Sequence, residues 1–384
     1  MELVSRFLRA PRQSFFLFGP RGTGKSTWLR QNLPDALVVD LLQPDLVREL
    51  TAKPERLTDL VRGSKSGATV VVDEIQRVPE LLNVVHALIE SPDRRRFVMT
   101  GSSARKLRRG GVDLLAGRAA VRTMHPFMAS ELDVFDLEAA LTHGLLPLAV
   151  AADRPDDVLR AYATLYLDEE VRLEGWARNA GAFARFLEAI SFSHAAVLNV
   201  ANVARECQVE RKTVAAYVEV LEDLLLSFRV PVFTKRARRE TIVHPKLFLF
   251  DAGVFRSIRP RGPLDRPEEI AGAALEGLVA QHLRAWLAYR GHDGELFFWR
   301  TRSGVEVDFI VYGDAGFCAI EVKNAARVRP EDTRSLKAFG DDYPKAELVL
   351  LYRGTRRERR GRIRIIPVEE FLRSLTPGRT LPLA

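Results

Sequence analysis

Two short stretches of this sequence carry side chains whose types and spacing could do phosphate chemistry. The first, Gly19-Pro20-Arg21-Gly22-Thr23-Gly24-Lys25-Ser26-Thr27, satisfies the pattern G-x-x-x-x-G-K-[ST]. Glycines at 19, 22 and 24 let a backbone fold around phosphates with its N–H groups pointing inward, and a following helix adds its positive end. In such a loop, which would include Thr23 and Thr27, Lys25 reaches the β and γ phosphates of ATP and the Ser26 hydroxyl ligates Mg2+. The second stretch is Asp73-Glu74, closing the apolar run Ala68-Thr69-Val70-Val71-Val72. An acid at the carboxyl end of a buried parallel strand is placed to hold the metal's coordination shell, here Asp73. A second acid beside it, Glu74, can act as the general base that polarises water.

Elements must bring these stretches together. Ser14-Phe15-Phe16-Leu17-Phe18 reads as a strand feeding the glycine loop, and a helix should leave it at Trp28-Leu29-Arg30. A third strand, Arg96-Phe97-Val98-Met99, runs into Thr100-Gly101-Ser102-Ser103. Thr100 there is expected to sense the γ-phosphate, with Ser102 as second choice, although a hydroxyl at that point serves equally to cap the next helix. Beyond it, Arg118 in Leu115-Ala116-Gly117-Arg118 could be an arginine finger reaching the nucleotide of a neighbouring subunit in a homo-oligomer, or a plain solvated residue.

The stretches GPRGTGKST, VVVDEIQRVPEL (70–81), MTGSSARKL (99–107) and LAGRAAV (115–121) resemble the AAA-type P-loop ATPases. More closely, they resemble a bacterial and archaeal family of such ATPases with a conserved C-terminal region. The resemblance extends over nearly the whole chain and implies an α/β ATPase domain fused to a C-terminal module.

From Pro155 to about Ala196 the apolar spacing is helical, a connector or lid. Val197–Cys207 reads as a helix, Gln208-Val209-Glu210 as a tight turn, and Arg211 to about Ser227 as a second helix, before strands at 228–234 and 246–250. That is the outline of a winged helix-turn-helix. Arg211, Lys212 and Thr213 could approach bases and Lys235, Arg236, Arg238 and Arg239 could contact phosphates, but Glu219, Glu222 and Asp223 would repel a nucleic-acid backbone. Winged helices also bind proteins. Asp251 and Gly253 read as turn structure.

A helix is expected over 269–289, with Glu276 at the edge of its buried stripe and in need of a partner. Strands Glu295–Trp299, Val305–Tyr312 and Phe317–Val322, a helix near 330–340 and a strand Glu347–Leu351 should follow. This α-β-β-β-α-β order resembles the PD-(D/E)XK nuclease superfamily, which includes inactive members. The resemblance implies that Asp308 and Glu321 would bind Mg2+, with Lys323 positioning the nucleophile or offsetting negative charge and Glu276 adding a ligand; Val307 replaces the motif's proline. Alternation puts Glu321 and Lys323 on one side of their strand, while Glu306 is expected to point to the opposite face. An E-x-K pair is also a common surface ion pair. Arg353–Arg364 holds seven arginines and one glutamate, suited to a solvated loop or to phosphate-backbone contact.

The whole sequence bounds these readings. Its 384 residues, 47% hydrophobic and 28% charged, describe a globular chain of several domains rather than a disordered or fibrous one. We expect an ATPase domain over 1–130, a helical connector over 131–195, a winged-helix-like domain over 196–260 and a nuclease-like domain over 261–384. No apolar run approaches the roughly 18 residues of a membrane span, so no membrane partner is expected. MELVSRFLRAPRQS lacks the apolar core of a signal peptide, and only two cysteines occur, far apart. A cytoplasmic location follows as the expectation. The formal charge of +8 points weakly to DNA or RNA. The expected function is ATP hydrolysis coupled to a module that engages nucleic acid and could cleave it. The alternatives are a signalling or scaffold ATPase with an inactive nuclease-like domain, or an ATP-switched transcriptional regulator.

Overall fold

A computed structural model of the chain describes residues 4–93, 95–102, 115–166, 180–235, 239–263, 265–291 and 293–383. Ser103, most of the 99–107 motif, Arg94, Arg105–Arg109, Arg236, Arg238 and part of the expected connector lie outside the described residues. The chain forms two compact units, one comprising residues 8–125 with 222–226 and the other residues 1–7, 126–221 and 227–384.

The first unit is built on a five-stranded sheet of β1 (Phe15–Phe18), β2 (Leu37–Asp40), β3 (Val70–Asp73), β4 (Phe97–Gly101) and β5 (Ala120–Thr123). The strands are all parallel, in the order β2-β3-β4-β1-β5. β1, β3 and β4 are buried along their whole length, as expected for unbroken apolar runs in a parallel sheet. Their carboxyl ends lie side by side, because β1 and β3 both pair with β4. α1 (Lys25–Asn32), α2 (Pro44–Ala52), α3 (Arg56–Arg62) and α4 (Leu81–Glu90) connect the strands, and Leu50, Leu57, Leu81 and Val85 pack with Phe16, Val70 and Val72 in one core.

In the second unit, α5 (Leu137–His143), α6 (Pro147–Val150), α7 (Pro155–Ala161) and α8 (Ala180–Ser191) precede a short β6 (Ala196–Val197), α9 (Val200–Cys207) and α10 (Arg211–Asp223). The first helix of the expected pair therefore starts three residues later than predicted. Asn199 stops it there, its side chain accepting the Asn202 N–H at 3.1 Å, a favourable N-cap. β7 (Ser227–Val230) and β8 (Lys246–Leu249) pair antiparallel and β6 joins the far edge of β8. α11 (Ala252–Ile258) follows. Asp251 caps it: one carboxylate oxygen accepts from Gly253 and Val254, the other from Leu145. A Cβ on Gly253 would stand 2.1 Å from the His143 carbonyl; the two residues expected as turn structure are instead the cap and the first turn of this helix.

The long α12 (Pro267–Arg290) leads into a six-stranded sheet of β9 (Gly294–Arg300), β10 (Glu306–Gly313), β11 (Gly316–Lys323), β12 (Glu347–Tyr352), β13 (Glu358–Arg360) and β14 (Ile363–Pro367). Its order is β13-β14-β12-β11-β10-β9; β9, β10 and β11 run antiparallel, and β11, β12 and β14 parallel. α13 (Arg334–Asp342) covers one face through Leu336 and Phe339, and α14 (Val368–Ser374) follows β14.

Candidate functional site

The glycine-rich loop joins β1 to α1. Gly24 caps α1 at φ 87°, ψ 22°, a left-handed conformation in which glycine carries no Cβ penalty. Gly22 also lies at positive φ. Gly19 is required by close approach instead, because a Cβ there would meet the Met124 carbonyl at 2.7 Å. Thr23 is buried and donates to the Pro20 carbonyl at 2.7 Å. Lys25 is buried too and folds back on the loop, its Nζ donating to the Gly19 carbonyl at 2.7 Å and the Pro20 carbonyl at 3.3 Å. Ser26 is exposed and Thr27 half-buried.

The end of β3 meets this loop. The Ser26 hydroxyl donates to Asp73 Oδ2 at 3.3 Å, and the other Asp73 oxygen accepts a short hydrogen bond from the Thr100 hydroxyl. Thr100, fully buried at the end of β4, accepts the Glu74 N–H at 3.0 Å. A loop hydroxyl, an acid and a sensor-position hydroxyl thus form one chain across neighbouring strand ends. Glu74 follows in a left-handed conformation, φ 61°, ψ 46°, unusual for a residue with a side chain. Its carboxylate accepts a short hydrogen bond from Gln76, whose amide also lies 3.5 Å from the Ser102 hydroxyl. Sequence reasoning missed Gln76; its position two residues past Glu74, in the turn Ile75–Arg77, was the available signal. Arg118 is ion-paired with Glu90 at the surface.

The residues fit ATP with Mg2+. The Lys25 ammonium lies against the glycine-rich loop, and a hydroxyl and a carboxylate, hard oxygen donors, converge at the strand ends.

The acidic residues of the second unit also converge, on a residue the sequence did not single out. Lys246, 1% exposed at the start of β8, places its Nζ 2.8 Å from Glu276 Oε1, 2.5 Å from Glu306 Oε1 and 3.2 Å from Asp308 Oδ1. The expectation that Glu306 points away fails: residues 306 and 308 are two apart on a strand, and such residues share a face. Asp308 Oδ2 accepts the Val322 N–H at 2.9 Å. On β11, Lys323 pairs with Glu321 at 2.6 Å. The second oxygen of Glu321, a residue 4% exposed, has no hydrogen-bond partner among the described residues. Arg300 holds Glu306 from its other side at 2.9 Å.

Burial works against the charge on Lys246, but Glu276, Asp308 and Glu306 outweigh it and hold its pKa well above the ordinary lysine value. Burial, and then the neighbouring Asp308, raise the carboxyls of Glu276 and Glu321. Among the described residues, no group of three or more His, Cys, Asp or Glu side chains is arranged to hold a metal ion. The carboxylates are organised around an ammonium, and this set does not fit Mg2+.

The arginine run is largely engaged within its own unit. Arg357 pairs with Glu370 at 2.7 Å and Arg360 with Glu358 at 3.2 Å. Arg353 pairs with Glu138 and Arg364 with Glu347. Arg362 donates to the Ala346 carbonyl at 3.1 Å. Arg211 and Lys212, at the start of α10, are exposed. No helix among the described residues is long and apolar enough to cross a membrane.

An all-parallel α/β sheet with a glycine-rich loop after β1 and an acid at the end of β3, one strand away, has the features of a P-loop nucleotide-binding domain. Residues 11–133 match the profile of an AAA domain, residues 134–265 a domain of unknown function (DUF8612) and residues 271–371 another (DUF4143). Uncharacterised proteins of Mycobacterium tuberculosis and Mycobacterium bovis are each 27% identical over 372 residues, covering 93% of this chain and 80% of theirs. Among solved structures, a signal-transduction ATPase with a tetratricopeptide repeat sensor from Pyrococcus horikoshii shares 11% identity at a TM-score of 0.19, over 73% of this chain and 45% of that one. A Vibrio cholerae protein shares 12% at a TM-score of 0.21, over 89% and 96%. Both likenesses are too slight to carry argument.

Proposed function

We propose that this chain binds ATP with Mg2+ at the loop Gly19–Thr27 and hydrolyses it. The observation that carries the reading is the chain Ser26–Asp73–Thr100–Glu74 N–H, drawn together at the strand ends beside Lys25. The loop amides and Lys25 would bind the β and γ phosphates, Ser26 and Asp73 would hold the metal, and Glu74, oriented by Gln76, would take a proton from water. Mg2+ supplies charge neutralisation at the phosphates when bound. Lys25→Ala should abolish phosphate release from ATP; hydrolysis persisting at the native rate would refute the assignment.

The expected domain limits stand as part of this proposal. The order β6-α9-α10-β7-β8, with the three strands in one sheet, supports a winged-helix reading of the middle region, and the α12-β9-β10-β11-α13-β12 order supports a PD-(D/E)XK-like reading of the last. Which task ATP drives there is best answered by the alternative of a scaffold or signalling ATPase. The arginines of the 353–364 run named above are held by acids or carbonyls of the same unit, which weighs against phosphate-backbone contact there, while Arg211 and Lys212 stay exposed at the start of α10. Electrophoretic mobility of DNA and RNA probes at low and physiological salt tests this choice. A retarded band that weakens steeply with salt would restore the nucleic-acid reading. Arg118 as a finger to a second subunit requires release from Glu90, and Arg118→Ala tests it by its effect on turnover.

A further inference from the structure

The acidic cluster on α12, β10 and β11 has a composition that the ATPase reading does not use. Four acids face it, Glu276, Glu306, Asp308 and Glu321, and three cations, Lys246, Lys323 and Arg300. The three cations offset three of the four carboxylate charges, which leaves little for a dication to balance.

Geometry gives the same answer. An ammonium has three hydrogens and no lone pair, and Lys246 has three carboxylates within 3.2 Å. A hard divalent ion needs oxygens at about 2.0–2.6 Å, and the point between Glu276 and Asp308 where they would converge is filled by Nζ. The stem behind it is fixed by strand pairing, since Lys246 pairs with Val230 on one side and Val197 on the other. The Phe298 ring lies 5.4 Å from the ammonium, which further favours a cation there.

We propose that Lys246 is a built-in cation that takes the place of a divalent metal among Glu276, Glu306 and Asp308, so that this acidic site excludes divalent metal in the native chain. The inference concerns the second unit alone and is independent of the P-loop assignment. It turns the strand Lys246–Leu249 into the stopper of a cation site, and it predicts that removing one side chain creates a metal-binding site where none exists.

The test is Mn2+ binding, read by the electron paramagnetic resonance signal of free Mn2+, in the full nucleotide-free chain. Asp73→Asn is present in every sample to silence the loop. Native and Asp308→Asn isotherms should superimpose. Lys246→Ala should gain one site per chain at least tenfold tighter than any native site, and Lys246→Ala with Asp308→Asn should lose it again. Because Lys246→Ala strands three carboxylates, its melting temperature is followed as well. It should fall without metal and recover with Mn2+ or Mg2+ but not with added NaCl. Stoichiometric Mn2+ binding by the native chain that Asp308→Asn abolishes overturns the proposal. So does a folded Lys246→Ala chain that binds no extra ion. If Lys246→Ala cannot be purified, the native and Asp308→Asn pair still decides: identical isotherms support the proposal and a difference of one site refutes it.

Discussion

Thr100→Val removes one hydroxyl and keeps the shape of the side chain, which makes it a sharp probe of the nucleotide site. In the native chain that hydroxyl donates to Asp73 and accepts the Glu74 N–H at 3.0 Å, in a fully buried position. Valine leaves the Glu74 N–H without an acceptor, a penalty of about 1–3 kcal/mol, and removes a hydrogen bond to a carboxylate that contributes about 1.5–3 kcal/mol. Asp73 recovers part of its loss through the Ser26 hydroxyl at 3.3 Å. A net of about 2–3 kcal/mol then falls on the orientation of Asp73 and Glu74, a roughly 30- to 150-fold loss in kcat. The loop amides and Lys25, proposed to bind the phosphates, are untouched, so ATP affinity should change by less than about threefold, below about 0.7 kcal/mol. Steady-state phosphate release and titration with fluorescent ATP and ADP analogues separate the two quantities. A kcat close to native would sink the reasoning. Weakened ATP binding with ADP unaffected would instead put the hydroxyl on the γ-phosphate, the role its strand-end position suggested from sequence.

Two further predictions concern the second unit. His282 is buried, accepts the Ala129 N–H at 2.8 Å and meets the Leu278 carbonyl at 2.7 Å, so it is neutral with the proton on Nδ1. Burial lowers its pKa to about 4. A lowered folded pKa contributes stability that is present above the unfolded value near 6.5 and lost as pH falls, about 2 kcal/mol by pH 5. His282→Gln, which keeps an acceptor for Ala129, should remove that share of the acid loss in urea unfolding at pH 7 and 5; an unchanged difference between the two pH values would count against the assignment. Asp251→Ala strands the N–H groups of Leu145, Gly253 and Val254 and should cost about 3 kcal/mol at roughly 1 kcal/mol per bond, readable as a lower urea midpoint. A loss under about 0.5 kcal/mol, the usual limit for a surface substitution, would mean the cap is not structural.

Legibility followed sequence distance. The loop Gly19–Thr27, the acids ending β3 and the α12-to-β12 order were readable because each is set by neighbours within a few residues: glycines, an apolar run, a helical stripe. The helix expected over 269–289 is found at Pro267–Arg290, while the one expected near 330–340 starts four residues later, at Arg334. Thr100 was legible as a polar strand end, but its partners come from a different strand, so its bonding was not. Lys246 was least legible. It heads the apolar strand Lys246-Leu247-Phe248-Leu249, and its three carboxylates lie 30, 60 and 62 positions further on. The arginine run looked free for the same reason, because Glu138, Glu347 and Glu370 are brought to it by tertiary folding.

The two buried lysines show why similar burial leads to opposite chemistry. Lys25, 7% exposed, and Lys246, 1% exposed, both keep their charge out of water. Lys25 donates to the Gly19 and Pro20 carbonyls, contacts that contribute about 1 kcal/mol each net of solvent. Under the proposed ATP binding, a fully anionic phosphate oxygen would replace these two contacts with a charge-assisted bond. Lys246 is held by three carboxylates, and withdrawing it would leave several uncompensated buried charges, a penalty of about 3–5 kcal/mol or more. A metal arriving from water would have to shed its own hydration as well as expel the ammonium. The three carboxylates around Lys246 thus close its site to a competing cation.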